Sequence, residues 1–258
     1  TICDLGDFEL VQKTAATVQP DIVFHLAAQP LVRRSYEAPL DTATTNILGT
    51  VHVLEALRVH QNNCPVVVVT SDKCYENDGS DYAFGETDSL GGHDIYSASK
   101  AAAEIMTASW RRAYRGRIAT ARAGNVIGGG DYGEDRIVPD CIRALLAGTS
   151  IAVRNPASTR PWQHVLDCLS GYLWLGARLA EEESLAAAFN FGPRPEAQRP
   201  VRELVGTLLQ HWPGEWTDAS GPNAPHEAPT LSLNIDKAAT ALNWEPVWGF
   251  AEAVQQTA

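Results

Sequence analysis

Two kinds of apolar pattern alternate along this chain. Over residues 7–18 the apolar positions recur at helical spacing, and Pro20 with Asp21 then breaks the helix. Residues 22–28 form a short apolar run ending in small side chains, as expected of a buried strand that feeds a tight loop. An amphipathic stretch over 42–60 predicts a long helix. Pro65 then opens Val66-Val67-Val68-Val69, a β-branched run without polar alternation, so both faces of that strand must be covered. Residues 96–114 predict a second long helix and 117–122 the next strand. Past Gly124 the texture changes to a Gly-rich loop, "GNVIGGGDYGEDRIVPD", and to segments rich in Pro and Arg, "RNPASTRPWQHV" and "GPRPEAQRP". A helix near 165–182 and a short strand at Ala188–Phe191 are expected to return to the first sheet.

Doubly covered strands separated by helices long enough for crossovers indicate an α/β fold with a doubly wound, parallel, Rossmann-type sheet and a smaller C-terminal lobe. In such sheets a GxGxxG-type turn follows the first strand and receives a dinucleotide pyrophosphate. No such turn is present, and "GGGD" at 128–131 lies too far down the chain. The first βαβ unit is therefore expected to be missing. Met106 is the only methionine, so a chain starting at Thr1 is expected to be processed or part of a longer one.

Composition narrows the function. The chain is 45% hydrophobic and carries a formal charge of −11 with no basic run, which argues against nucleic acid as a partner. Cys3, Cys64, Cys74, Cys141 and Cys168 match neither a zinc pattern nor a CxxC pair and are expected as reduced thiols. The seven histidines form no HExxH-like cluster, so no metal is expected. No signal-like segment or membrane-spanning run is visible, which suggests a cytoplasmic protein without membrane partners.

Two constellations carry chemistry. Tyr96 and Lys100 in "YSASK" stand four apart on one helix face, where an ammonium lowers the pKa of a nearby phenol and makes it a usable base. The spacing alone is weak. Ser71, Asp72 and Lys73 follow the apolar strand directly, at the carboxyl end where open α/β sheets bind ligands. An ordinary strand-end cap would account for Ser71 alone, whereas an acid and an amine side by side tilt the group toward catalysis. His25 reads as a core histidine, Asn46 as a structural hydrogen-bonding group, and Arg160 as either a phosphate ligand or an exposed ion pair. Trp212, Trp216, Trp244 and Trp248 read as packing.

Taken together, "HLAAQ", "TSDK" and "YSASK" resemble the extended short-chain dehydrogenase/reductase superfamily. The strings "AAQPLVRRSYEAPLDT", "TSDKCYEN", "LGGHDIYSASKAAAE", "GNVIGGGDYGEDRIVPD" and "RPWQHVLD" resemble its nucleotide-sugar 4,6-dehydratases, in particular the class acting on CDP-glucose. Ile95 stands where that family has proline, a mild departure. The resemblance implies NAD as a recycled hydride carrier, CDP-glucose as substrate and a homodimer joined through the 42–60 and 96–114 helices. It implies that Tyr96 takes the sugar 4-hydroxyl proton while Lys100 holds the cofactor ribose and lowers the phenol pKa. It further implies that Ser71 bonds the 4-oxygen, Asp72 is the acid that expels the 6-hydroxyl, and Lys73 is the carbon-5 base where other classes have glutamate. By the same resemblance Asp4 and Leu5 contact adenine, Leu26, Ala27, Ala28 and Gln29 the NAD diphosphate side, and Thr45 a ribose. Asn125, Arg160 and Asn190 face the sugar nucleotide. Residues 1–123, with returns at about 160–192, would be the NAD-binding part, and 124–159 with 193–258 the substrate lobe. Deoxysugar synthesis for O-antigen is the implied setting. Two alternatives stay open: another dehydratase or epimerase of the superfamily, or a catalytically silent binding fragment, since a chain lacking the Gly-rich turn is expected to bind NAD poorly.

Overall fold

A computed structural model describes residues 3–60, 62–221 and 230–258. Asp7 caps helix α1, Phe8–Val18, by accepting from the Leu10 N–H, and Gln19 ends it in the left-handed region at φ 46°. Strand β1, Val23–His25, follows. Helices α2, Val32–Glu37, and α3, Pro39–Ala43, run through a π-helical turn at Thr44–Leu48 into α4, Gly49–Val59. The predicted 42–60 helix thus begins earlier, with proline at its first position, and is interrupted by the wide turn around buried Asn46. Strand β2, Val66–Val69, a 3₁₀ turn at Asp72–Cys74 and β3, Ala83–Phe84, lead to α5, Ile95–Tyr114, capped by Asp94. Next come β4, Ile118–Ala123, β5, Val126–Ile127, α6, Ile137–Leu146, β6, Ile151–Val153, β7, Thr159–Pro161, and β8, Gln163–His164. Helix α7, Val165–Glu181, and β9, Ala188–Phe191, return to the first sheet. The remainder comprises β10, Gln198–Pro200, α8, Val201–His211, β11, Trp216–Asp218, β12, Ser232–Leu233, and α9, Phe250–Gln255.

The main sheet is parallel throughout, in the order β1-β2-β4-β9, with Val23 opposite Val66, Val66 opposite Ile118 and Thr120 opposite Ala188. The valine run explains the double cover. Val66 and Val68 pack with Leu54 and Leu57 of α4 on one face, while Val67 packs with Leu175 and Leu179 of α7 on the other. Helix α7 lies close on the sheet, since a Cβ at Gly171 would meet Phe191 Cδ1 at 2.4 Å. Trp244 sets its edge against Phe191, with centroids 4.9 Å apart, so its packing role holds. A second core gathers Ile127, Val138, Ile151, Trp162, Leu204 and Leu208. Its parts meet in short two-stranded pairs, β5 with β8 and β6 with β11 in parallel, and β7 with β10 antiparallel. Among the described residues no helix is long and apolar enough to cross a membrane.

Candidate active site

The apolar β2 run ends where the chain turns polar, so Ser71, Asp72 and Lys73 emerge at the carboxyl end of a central strand. The Ser71 hydroxyl accepts from the Lys73 N–H at 3.2 Å and donates to Asp72 Oδ1 at 3.0 Å. Asp72 is buried, and its Oδ2 has no partner among the described residues. Loss of solvent pushes its carboxyl up to about 6, against the opposing pull of Lys73, Ser71 and Arg160. Gly124 lets the chain pass this closely, because a Cβ there would come within 2.8 Å of Pro161 and 3.1 Å of Asp72 Oδ2.

Asp94 caps α5, and Tyr96, two residues on in its first turn, comes to the same place. Tyr96 is buried beside Ser71, and its backbone N–H donates to Ser35 Oγ at 3.2 Å. Lys100 is not among the groups that lower the phenol here. Burial pushes Tyr96 up to about 12, and the groups that pull it back are the Ser71 hydroxyl and the Arg136 guanidinium. Lys100 is itself brought down to about 8 by burial and donates to the Val69 carbonyl at 3.2 Å. Its ammonium is turned toward the end of β2 at that carbonyl.

Ser71, Asp72, Lys73, Tyr96, Asn125 and Arg160 line one cavity of about 350 Å³, within the size range of small-ligand pockets. Lys73 is half-buried at its rim. Arginines 33, 136 and 154 also line this cavity and were not singled out from the sequence. Arg33 pairs with Asp135 at 3.8 Å, Arg154 with the same carboxylate, and Arg136 with Asp131 at 3.0 Å. Arg33 lies in α2, Arg154 in a loop and Arg136 just before α6, so no spacing pattern joins the three.

The other positions divide. Leu26, Ala27 and Ala28 leave the carboxyl end of β1, beside the end of β2, and Leu26 is 49% exposed. Asp4 and Leu5 lie at the entry to α1, where the Leu5 carbonyl meets His52 Nδ1 at 2.6 Å. Thr45 is half-buried in the π turn. None of these six lines the cavity. Gln29 lies outside the cavity as well. It is buried, and its side chain serves Thr42 and Leu31 while its backbone N–H and C=O both bond Asn46, so its polar groups are taken up in bracing the loop. Asn46 is structural as expected, and His25 is a core histidine bonded to Thr50 at 3.0 Å.

Asn190 also lies away from that cavity. It sits fully buried in β9, accepting from the Tyr75 hydroxyl at 2.6 Å and donating to the carbonyls of Phe84 and Asn234, and it does not line the cavity. Its side-chain oxygen and nitrogen are thus both held by the protein. Asn190→Ala should cost about 2–4 kcal/mol in urea unfolding, by stranding several buried groups, with substrate KM unchanged once the protein is folded.

Residues 1–192 match the family model described as the NAD dependent epimerase/dehydratase family. A CDP-glucose 4,6-dehydratase of Salmonella typhimurium is 43% identical over 98% of this chain and 74% of its own length. A dTDP-glucose 4,6-dehydratase of Xanthomonas campestris is 28% identical over 98% of this chain and 76% of its own. Among solved structures, the epimerase Mth375 of Methanothermobacter thermautotrophicus superposes with a TM-score of 0.87 at 26% identity, covering 100% of this chain and 76% of that one. With three quarters of its residues under the model and that dehydratase aligned along nearly its full length, the chain belongs to the NAD dependent epimerase/dehydratase family.

Proposed function

We propose that this chain carries the NAD-dependent dehydration of CDP-glucose to CDP-4-keto-6-deoxyglucose. The observation that carries the reading is Asp72, a buried carboxyl pushed up to about 6 with one oxygen unpartnered, in the cavity wall with Tyr96 and Lys73. An epimerase has no water to expel and no use for such an acid. The Salmonella relative adds the substrate.

The residues present fit NAD. Lys100 spends one ammonium hydrogen on Val69, leaving two for a ribose, and Leu26 and Ala27 are exposed just past the carboxyl end of β1. Leu26, Ala27, Ala28, Thr45, Asp4 and Leu5 would complete the hold. The chemistry NAD supplies when bound is reversible hydride acceptance, from sugar carbon 4 and back to carbon 6. The chain supplies the rest. Tyr96, as phenolate, takes the 4-hydroxyl proton while Ser71 donates to that oxygen. A phenol near 12 serves at neutral pH only when a further positive charge arrives beside it. Once carbon 4 is a ketone, Lys73 as free amine removes the carbon-5 proton. Asp72 protonates the 6-hydroxyl, which leaves as water with formation of the carbon 5–carbon 6 double bond. Lys73 returns a proton to carbon 5 as carbon 6 is reduced, and Tyr96, left protonated by the first step, passes its proton through the Ser71 hydroxyl to the Asp72 carboxylate, which resets the site. Asn125 and Arg160 hold the sugar nucleotide, Arg160 at its diphosphate.

The test is incubation with NAD and, separately, CDP-glucose, dTDP-glucose and GDP-mannose, followed by mass spectrometry. Loss of 18 mass units, one water, from CDP-glucose alone supports the proposal; isomerisation without mass change would favour an epimerase.

The division of labour proposed is NAD on 1–123 with 160–192 and sugar nucleotide on 124–159 with 193–258. We also propose a cytoplasmic homodimer. Its support is the exposed apolar set Leu40, Leu48 and Ile105 on the α3–α4 and α5 helices, together with five free thiols. Ile105→Glu is expected to shift the light-scattering mass from dimer to monomer.

A further inference from the structure

One turn along α5 from Lys100 lies a carboxylate that the reaction above does not use. Glu104 is 1% exposed. Its Oε1 accepts from Thr70 Oγ1 at 2.5 Å, and its Oε2 from Thr120 Oγ1 at 2.8 Å and from Arg122 Nη2 at 2.8 Å. Thr70 is the residue immediately before Ser71, and Thr120 lies in the middle of β4. Arg122 continues the chain of contacts, donating to the Tyr75 hydroxyl, which in turn donates to Asn190.

A buried ion pair is poor evidence for stability, because removing two charges from water costs about as much as their attraction returns. What distinguishes this pair is where its hydrogen bonds lead. One Glu104 oxygen ties the helix that carries Tyr96 and Lys100 to the strand end that carries Ser71 and Asp72. The same charge stands one turn from the Lys100 ammonium, which has lost its solvent.

We propose that Glu104 is a positioning residue of the active site, holding the Thr70 end of β2 against α5 and serving as the counter-charge that keeps Lys100 cationic. The proposal rests on the dehydratase reading only for its turnover readout. The groups acting on Lys100 are Glu104 from its own helix, Cys74 from the 3₁₀ turn, and His25 from β1, whose imidazole is held down to about 4 by burial and is therefore neutral. Those acting around Glu104 are Arg122 from β4, Arg111 from α5 and the Cys74 thiol. Burial brings Lys100 to about 8, and Glu104 opposes that fall. With Glu104 neutral, Lys100 sheds its proton at lower pH.

The chain has only Lys13, Lys73, Lys100 and Lys237, so Lys100 can be followed by NMR in lysine-labelled protein and assigned with Lys100→Arg. In Glu104→Gln the Lys100 titration should move down by about one pH unit or more. Glu104→Asp, which keeps the charge, should recover most of that shift. Thr70→Val and Thr120→Val each remove one hydrogen bond to the carboxylate and keep its charge, so neither depends on Glu104→Gln folding well. Thr70→Val should lower kcat on CDP-glucose about tenfold with KM little changed, and Thr120→Val less than about threefold. Equal kcat in the two threonine variants together with an unmoved Lys100 titration would overturn the proposal and leave a merely structural ion pair. If the wild type fails to dehydrate CDP-glucose, the substrate reading falls, and the Lys100 titration still decides on Glu104.

Discussion

Replacing Asp72 by Asn is expected to lower turnover by about 10²–10⁴-fold while raising the melting temperature at pH 7. The two effects share one cause. The carboxyl is pushed from 3.8 to about 6 because burial penalises its charged form. A group whose folded pKa is raised contributes stability that is fully present below the unfolded value and lost as pH rises through the folded one. Below pH 3.8 Asp72 is therefore neutral in both states and costs nothing. Above about 6 the folded protein holds a buried carboxylate, at a cost of up to about 3 kcal/mol. An amide of the same shape carries no such charge. Asp72→Asn should thus melt several degrees higher than wild type at pH 7 to 8, and the difference should shrink to nothing near pH 3.5. Thermal melts across that range, read beside turnover, check both halves. A variant that is inactive and also less stable at pH 7 would mean that Asp72 is a structural cap.

Tyr96→Phe is expected to reduce kcat by about 10²–10⁴-fold with little change in binding of NAD or CDP-glucose. The phenol contributes its oxygen to the reaction and its ring to the cavity wall, and phenylalanine keeps the ring. The backbone bond from Tyr96 N–H to Ser35 survives the change, so the start of α5 stays in register. Calorimetric titration with each ligand, set against product formation, separates the two roles. Loss of binding in proportion to loss of turnover would contradict the assignment of Tyr96 as base.

The main sheet was legible because its signal is local. A run of four valines admits few environments other than a strand covered on both faces, and Ala188–Phe191 appears as a strand where its apolar pattern predicts one. The cluster of Ser71, Asp72, Lys73 and Tyr96 was legible for the same reason, strand end and helix start being readable separately and adjacent once the sheet is parallel. What escaped depends on atoms that meet across long separations. The bonds of Asn190 are among these, because a short strand does not disclose which groups await its side chain, and Tyr75, Phe84 and Asn234 come from three other parts of the chain. Those of Gln29 are another case, since its demand from Asn46 and Thr42 arises only when the π turn folds over the loop. Glu104 and Arg122 went unnoticed because an acid in a helix and an arginine in a strand are ordinary residues until both are buried. The phenol pKa failed in direction because the i, i+4 spacing places Lys100 on the right face without fixing where its ammonium goes.

The central claim is that one catalytic site removes a proton from the sugar 4-hydroxyl, opens carbon 4 to oxidation and closes the cycle at carbon 6. The most direct measurement is conversion of CDP-glucose carrying deuterium at carbon 4, in ordinary water with NAD, followed by NMR of the product. The account predicts CDP-4-keto-6-deoxyglucose with that deuterium at carbon 6. Recovery of water-derived hydrogen alone at carbon 6, or retention of deuterium at carbon 4 in an isomerised sugar, would contradict it.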